Sequence, residues 1–468
     1  MKLKKLFLAL LLCCALLLSC GGAAFADAYP FYLRVLIGDK TVTVRAMQND
    51  YAGNYYLSLY DLSAVLSGTP AAFTFAYQYT AGDGEFFTVT TGQDAGTASE
   101  AGNPTESPWV SSFSPTRNRI FVNGQERRYY TYRAGQDLYM GLTDIQLMLD
   151  IPAEFQEDGL RLYPGQHFYP DVPRLAEQGY FTCFSAVLLG DADTGEILYA
   201  HNADDAVPIA SITKLMTLLL LEEGLANGDI SLYDRVSVSG NAAALSQGPD
   251  AMVTLREGVG YPFQELLQVM LMASSNESAL ALAEHLAGSE AAFVDRMNER
   301  ARELGLDSAR FYNPHGLPLY LNQSVTAKVQ NVMSAEDLFL LCQILLTEYP
   351  EITQITGERY GSMPSLSYNT ANSNAVVFNL EGCNGLKTGS TNRAGSCLVA
   401  TLPVTVDGET HTAVAIVLGA ECADTRNQAV EILLRYARST WTDRGFAQPE
   451  PEPTPLPTPA PTPSKRGR

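Results

Sequence analysis

The stretch Ala210-Ser211-Ile212-Thr213-Lys214-Leu215-Met216-Thr217 opens an apolar run that continues through Leu221. Residues three apart share a helix face, so Ser211 and Lys214 point the same way at the start of a helix predicted over Thr213 to Glu223. A serine hydroxyl is inert at neutral pH and needs a proton acceptor within about 3 Å. A lysine serves as that acceptor only when burial or a second cation lowers its pKa. The pairing therefore asks the rest of the chain for a dry cleft and another positive charge.

Two later strings answer it. Ser274-Ser275-Asn276 sits at the joint between helices predicted over Pro262 to Ala273 and Ser275 to Leu286, where side chains can face a cleft. Read alone it is a helix cap. At the joint, Ser274 would lie near Lys214 and relay a proton towards a leaving amine, and the Asn276 amide would hold a substrate carbonyl or the lysine. Lys387-Thr388-Gly389-Ser390 falls in a strand pattern, where lysine brings charge, threonine a hydroxyl and glycine a close backbone approach. Such a group suits a terminal carboxylate, and Lys387 would be the second cation. The backbone N–H groups of Ser211 and Ser390 are the expected oxyanion hole, a feature worth ~3 kcal/mol per donor in acyl transfer.

The chain has 468 residues, 46% of them hydrophobic, enough for about two to three domains at roughly 150 residues each. Lys2, Lys4 and Lys5 precede an apolar run from Leu6 to Leu18 and then small residues, so residues 1–26 read as an export signal. Cleavage after Ala24-Phe25-Ala26 would release a chain beginning at Asp27. Leu17-Leu18-Ser19-Cys20-Gly21 offers a lipobox-like alternative, in which Cys20 would be acylated and tether the protein to the membrane. The formal charge of −20 argues against nucleic acid or anionic lipid as a partner. Five cysteines follow residue 26: Cys183, Cys342, Cys383, Cys397 and Cys422. Their odd number and irregular spacing describe buried thiols rather than a disulfide framework, with Cys383 and Cys397 the one pair placed to bridge. The five histidines form no His-x-x-x-His pair and there is no C-x-x-C, so no metal or organic cofactor is expected.

Residues 27–165 contain an internal echo. Gly53-Asn54-Tyr55-Tyr56-Leu57-Ser58-Leu59-Tyr60-Asp61-Leu62 returns 82 positions later as Gly135-Gln136-Asp137-Leu138-Tyr139-Met140-Gly141-Leu142-Thr143-Asp144-Ile145. Each copy follows a strand-turn-strand pattern, around Gly38-Asp39 and Asn123-Gly124, and leads into a short helix. Two ββα units would make a small β-rich domain, with Gly92 to Asn118 a flexible insertion. From about Tyr169 the texture changes. Strands at Ser185 to Gly190 and Ile197 to Ala200 form a hairpin, helices follow, including one over Glu290 to Leu304, and strands return at Ala375 to Leu380, Leu386 to Thr388, Ser396 to Leu402 and Thr412 to Leu418. A helix over Asn427 to Thr440 closes the unit. Strands at both ends with helices between them suit one antiparallel sheet completed late in the chain, an α+β arrangement of the α/β class. Residues 447–468 are rich in Pro and Thr and read as an extended tail.

With Asn313-Pro314-His315-Gly316-Leu317 and Gly385-Leu386-Lys387-Thr388-Gly389-Ser390-Thr391 added, the chain from about Tyr169 to Thr440 resembles the low-molecular-mass penicillin-binding D-alanyl-D-alanine carboxypeptidases. The resemblance implies a β-lactamase/transpeptidase-like fold for residues 169–440, and a serine peptidase that takes the terminal D-alanine from peptidoglycan stem peptides and is acylated by β-lactams. It implies Ser211 as nucleophile, Lys214 as base, Ser274 and Asn276 as the second motif, and Lys387, Thr388 and Gly389 as the third. Arg426 matches the family arginine that helps to hold the carboxylate; a solvated residue at a helix start is the plain alternative. His315 reads as structural, since this chemistry needs no imidazole. Ser275 stands where the family usually has glycine. Other readings of the same strings are an endopeptidase cutting cross-links, a serine β-lactamase, for which no Glu-x-x-Leu-Asn element stands between Asn276 and Lys387, and a noncatalytic wall-binding protein.

Overall fold

The computed structural model describes residues 28–49, 55–80, 84–95, 114–116, 119–134, 137–319 and 329–446. The expected export signal of residues 1–26 with Cys20, most of the Gly92 to Asn118 stretch and the expected tail from residue 447 lie outside them.

Among the described residues, twelve strands and two helices come from the front of the chain. They are β1 (Ala28–Ile37), β2 (Lys40–Asn49), β3 (Tyr55–Ser58), α1 (Leu59–Val65), β4 (Phe73–Thr80), β5 (Gly84–Thr91), β6 (Ser114–Thr116), β7 (Arg119–Val122), β8 (Gln125–Arg127), β9 (Thr131–Ala134), β10 (Asp137–Gly141), α2 (Leu142–Leu149), β11 (Ala153–Gln156) and β12 (Gly159–Leu162). Eight strands form one sheet in the order β11-β12-β1-β2-β3-β10-β9-β6, and four form another in the order β4-β5-β7-β8. The echoed segments meet at the centre of the larger sheet, where Tyr56 pairs with Gly141, Leu57 with Met140 and Ser58 with Tyr139.

Helix starts at Leu59 and Leu142 set the structural repeat at 83 positions, one more than the Gly53 and Gly135 correspondence. In this register Asp61 matches Asp144, and both are buried. Their partners differ. Asp61 accepts from the Arg45 backbone N–H at 2.7 Å and from its guanidinium at 2.6 Å, inside the module. Asp144 accepts from Gln428 Nε2 at 3.0 Å, a residue of the last helix of the chain.

The second half begins with α3 (Val172–Glu177) and is built on a five-stranded antiparallel sheet. Its first hairpin is β13 (Ala186–Asp191) and β14 (Ile197–His201), followed by the 3-10 turn Ala210–Thr213, α4 (Lys214–Asn227), α5 (Gly240–Leu245), α6 (Phe263–Met272), α7 (Asn276–Ala287), α8 (Glu290–Glu303), α9 (Ala335–Glu348) and α10 (Ile352–Thr356). Short ladders join β15 (Val207–Pro208) to β18 (Val332–Met333) and β16 (Arg235–Ser237) to β17 (Gly260–Pro262). The hairpin of β19 (Tyr360–Met363) and β20 (Tyr368–Ala371) and the one-turn helix α11 (Val376–Asn379) precede β21 (Gly385–Thr391), β22 (Gly395–Val406), β23 (Glu409–Ala420) and α12 (Ala423–Arg444). The sheet order β14-β13-β23-β22-β21 places the lysine-threonine-glycine strand at an edge, finished by the last strands made.

Every residue of β13 is buried, as expected of a strand covered on both faces. One apolar cluster joins one sheet face, through Leu188, Val414 and Ile416, to Leu215, Leu219 and Phe339 of the helices. The other face, through Val187, Leu398 and Val417, joins Leu433 and Trp441 of α12 and runs on to Val35, Leu57 and Tyr129 of the front module. The front module thus shares a core with the half that carries the three strings.

One expectation changes. Ala375 to Leu380, expected as a strand from its apolar run, contains the helix α11: Asn374 Oδ1 accepts from Val376 N at 3.0 Å and turns the chain, while Val376, Val377 and Phe378 stay buried. Cys383 and Cys397 do not bridge: both are buried free thiols, as is Cys342, which agrees with the sequence reading for these three. Burial pushes the Cys383 thiol up to about 12 and that of Cys397 up to about 11. Among the described residues no helix is long and apolar enough to cross a membrane.

Candidate active site

Ser211 lies in the 3-10 turn, one residue after Ala210, which is held at φ +47°. In a 3-10 turn residues three apart are eclipsed, so the Lys214 side chain passes directly beside the serine. Lys214 begins α4, a helix buried on nearly all sides, and is itself 0% exposed. Its Nζ lies 2.9 Å from Ser211 Oγ, 2.8 Å from Asn276 Oδ1 and 2.8 Å from the His315 carbonyl oxygen. Burial holds the amine well below the ordinary lysine value, and the positive charge of Lys387 adds to this, while Glu277 opposes it. The pair is therefore set up for proton transfer from serine to lysine.

These three oxygens surround the Lys214 amine, and Ser274 is not among them. Ser274 is half-buried at the joint between α6 and α7 with φ +64°, a left-handed conformation that costs a non-glycine residue about 1–3 kcal/mol. Ser275 explains its own identity: its Oγ accepts from Ser278 N at 3.1 Å and caps α7. Asn276 is fixed from its other side, where Nδ2 donates to the Asp250 carbonyl at 3.2 Å. Glu277 Oε1 accepts from Met252 N at 2.8 Å, and its buried Oε2 has no hydrogen-bond partner among the described residues.

β21 closes the opposite wall. A methyl group added at Gly389 would lie 2.9 Å from Ser211 N and 3.0 Å from Ile209 O, so only glycine lets the strand pass this near Ser211. Lys387 is buried, and its Nζ donates to the Thr388 carbonyl at 2.8 Å. Burial, with the nearby charge of Arg426, brings Lys387 down to about 7. Thr388 Oγ1 lies 2.6 Å from Ser373 Oγ, and Ser390 is exposed at the mouth. Arg426 is not a solvated residue: it is buried, donates to Asn427 Oδ1 at 2.8 Å and to the Cys397 carbonyl at 3.4 Å, and burial lowers it to about 10. Its charge reaches the site through Lys387.

The Asn313-Pro314-His315-Gly316-Leu317 string works through its backbone. Pro314 O accepts from Thr217 Oγ1 at 2.6 Å, His315 O accepts from Lys214, and Asn313 Oδ1 accepts from Gly316 N at 2.6 Å. Burial, followed by Lys214, drives the His315 imidazole down to about 3, so it is neutral across the physiological range. Gly316 has φ +90°, and a methyl there would fall 2.0 Å from the Ala210 carbonyl oxygen. Asn331 ties the string to the nucleophile's turn, donating to Asn313 O at 2.8 Å and to Thr213 Oγ1 at 3.0 Å. Sequence reading did not find Asn331 or Ser373; a lone asparagine or serine in a polar stretch carries no spacing signal.

A cation has one other conceivable set of ligands among the described residues, Asp191, Asp193 and His411, whose ligand atoms lie within 4.8 Å of one another. Hydrogen bonds already account for them: His411 Nδ1 lies 2.6 Å from Asp191 Oδ2, and Asp193 Oδ2 accepts from Thr412 N at 2.7 Å. The group locks the turn between β13 and β14 to β23.

The sequence profile of the D-alanyl-D-alanine carboxypeptidases, peptidase family S11, matches residues 176–422. The chain is 35% identical over 265 residues to the D-alanyl-D-alanine carboxypeptidase DacF of Bacillus subtilis (strain 168), covering 55% of this chain and 62% of that protein. It is 33% identical over 219 residues to a D-alanyl-D-alanine endopeptidase of Pseudomonas aeruginosa, covering 46% and 65%. Among solved structures it is similar to a peptidoglycan synthesis regulatory factor (PBP3) from Streptococcus pneumoniae, with a TM-score of 0.50 and 32% identity, over 55% of this chain and 72% of that one. The chain thus spans 62% and 65% of the length of these two curated relatives.

Proposed function

Since this chain belongs to the D-alanyl-D-alanine carboxypeptidase family, we propose that it is an exported serine-type D-Ala-D-Ala carboxypeptidase that trims peptidoglycan stem peptides and is acylated by β-lactams. The observation that carries the reading is the buried Lys214 amine 2.9 Å from Ser211 Oγ, with Asn276 and the His315 carbonyl fixing its position. Ser211 attacks the carbonyl of the penultimate D-alanine while its proton passes to Lys214. The backbone N–H groups of Ser211 and Ser390 hold the oxyanion, and Lys387 and Thr388 take the terminal carboxylate, with Arg426 adding positive field from behind. As the tetrahedral intermediate collapses, the C–N bond breaks, Lys214 returns its proton to the leaving D-alanine through Ser274, and the acyl group stays on Ser211. Water, deprotonated by the same lysine, then releases the shortened peptide.

We assign this work to residues 169–440. Residues 1–26 would direct export, and acylation of Cys20 is the one membrane tether this reading provides. Release of D-alanine from a pentapeptide ending in D-Ala-D-Ala, by the native protein and not by Ser211→Ala, tests the proposal. The likeness to an endopeptidase supports a second reading with the same site, in which cross-linked dimers are cut faster than pentapeptide.

A further inference from the structure

The turn Asn372-Ser373-Asn374 touches both halves of the site. Ser373 N donates to the Met272 carbonyl at 3.0 Å, two residues before Ser274, and its hydroxyl lies 2.6 Å from Thr388 Oγ1. Asn374 Nδ2 donates to the Gly385 carbonyl at 2.6 Å, at the start of β21. The turn is therefore the strut between the second and third strings.

Asn372 Nδ2 ties the strut to its own half, donating to the Thr356 and Glu358 carbonyls at 2.8 Å, and the front module holds it from the other side. Arg128, just after β8, donates from Nη1 to the Asn372 carbonyl at 3.2 Å, and its guanidinium carbon lies 3.8 Å from the centre of the Phe378 ring. Its backbone N–H donates to Asn379 Oδ1 at 2.6 Å, and Asn379 Nδ2 returns a bond to the Arg128 carbonyl at 3.2 Å. Arg127 Nη1 adds a bond to the Phe378 carbonyl at 2.7 Å, and Tyr360 bonds Glu126. These contacts span residues more than 230 positions apart, and those of Arg127 and Arg128 converge on the short segment whose Ser373 meets Thr388.

We infer that Arg128 is a positioning residue of the active site: the front module clamps the Asn372–Asn379 segment through it, and Ser373 passes that constraint to Thr388. The inference rests on the carboxypeptidase reading for its catalytic readout and on geometry alone for its structural one. Both Arg128 and Ser373 act through Thr388, so losing either should cost the same thing once.

The test uses the full chain, with acylation by a fluorescent penicillin measured per titratable Ser211. Arg128→Ala and Ser373→Ala are each expected to slow acylation about tenfold. The double variant should be no slower than either alone, and Arg128→Lys, which keeps a donor for the Asn372 carbonyl, should recover most of the rate. An unchanged rate per site in Arg128→Ala, with only fewer active molecules, or multiplied losses in the double variant, would overturn the inference. Hydrogen exchange at the Ser373 and Asn374 amides supplies a readout independent of activity. It should quicken about tenfold in Arg128→Ala, and unchanged exchange would equally overturn it. Native protein that is never acylated would count against the carboxypeptidase reading and leave the exchange result to decide the clamp.

Discussion

Lys214 Nζ lies 2.9 Å from Ser211 Oγ in a pocket that leaves the lysine no exposed surface. Water cannot screen the amine there, and the neutral form that accepts a proton is favoured by burial before any neighbour acts. Arginine at this position keeps the charge and loses the ability to give up its proton. Lys214→Arg is therefore expected to lower the acylation rate about 10³-fold, the scale of a lost general base, as measured by stopped-flow binding of a labelled penicillin. A variant that acylates at the native rate would remove Lys214 from the mechanism.

The pH profile should show two lysines. Acylation needs Lys214 neutral, so the rate climbs as pH rises through its depressed pKa. Carboxylate binding needs Lys387 charged, and Lys387 sits at about 7, so kcat/KM for a carboxylate-ended substrate should fall above that pH. Bound carboxylate favours the charged lysine and raises its pKa, which moves the same fall in kcat to higher pH. With His315 at about 3, His315→Gln should leave both limbs in place. Coincident alkaline limbs in kcat and kcat/KM would contradict this assignment.

Gly316 tests how tightly the nucleophile's turn is packed. Gly316→Ala would set a methyl 2.0 Å from Ala210 O at φ +90°. A loss of about 3 kcal/mol in denaturant unfolding is expected, with acylation lost in what remains folded. Gly38→Ala, where nothing stands within 4 Å and only φ +56° is unfavourable, should cost about 1 kcal/mol.

Much of this was legible in the chain. The helices over residues 214–227, 263–272 and 276–287 and the strands from β21 to β23 follow from apolar period, and Ser211 and Lys214 meet as their three-residue spacing implies, with Asn276 against the lysine. What escaped reading was set by tertiary contact. Val376 to Asn379 has strand composition, and a side-chain bond from Asn374 turned it into a helix. The third acceptor of Lys214 is a backbone carbonyl, which no residue type advertises. Ser373 gains meaning only because Thr388 lies opposite it. The one-residue offset of the repeat appeared once the helix starts at Leu59 and Leu142 were placed.

The thiols give a test of packing that is independent of catalysis. Cys342, Cys383 and Cys397 are buried, with Cys383 and Cys397 pushed to about 12 and about 11, whereas Cys183 is half-buried. Towards a disulfide reagent at pH 8 Cys342, Cys383 and Cys397 should react only as fast as the protein unfolds. Prompt modification of Cys397 in native protein would show that β22 is not packed as described.

The most direct measurement of the central claim is mass spectrometry of the protein after brief exposure to a pentapeptide ending in D-Ala-D-Ala, with free D-alanine assayed in the same samples. The account predicts an acyl group on Ser211 and stoichiometric, then catalytic, release of D-alanine, both absent in Ser211→Ala. D-alanine release that persists in Ser211→Ala, or an acyl group on any other residue, would contradict it.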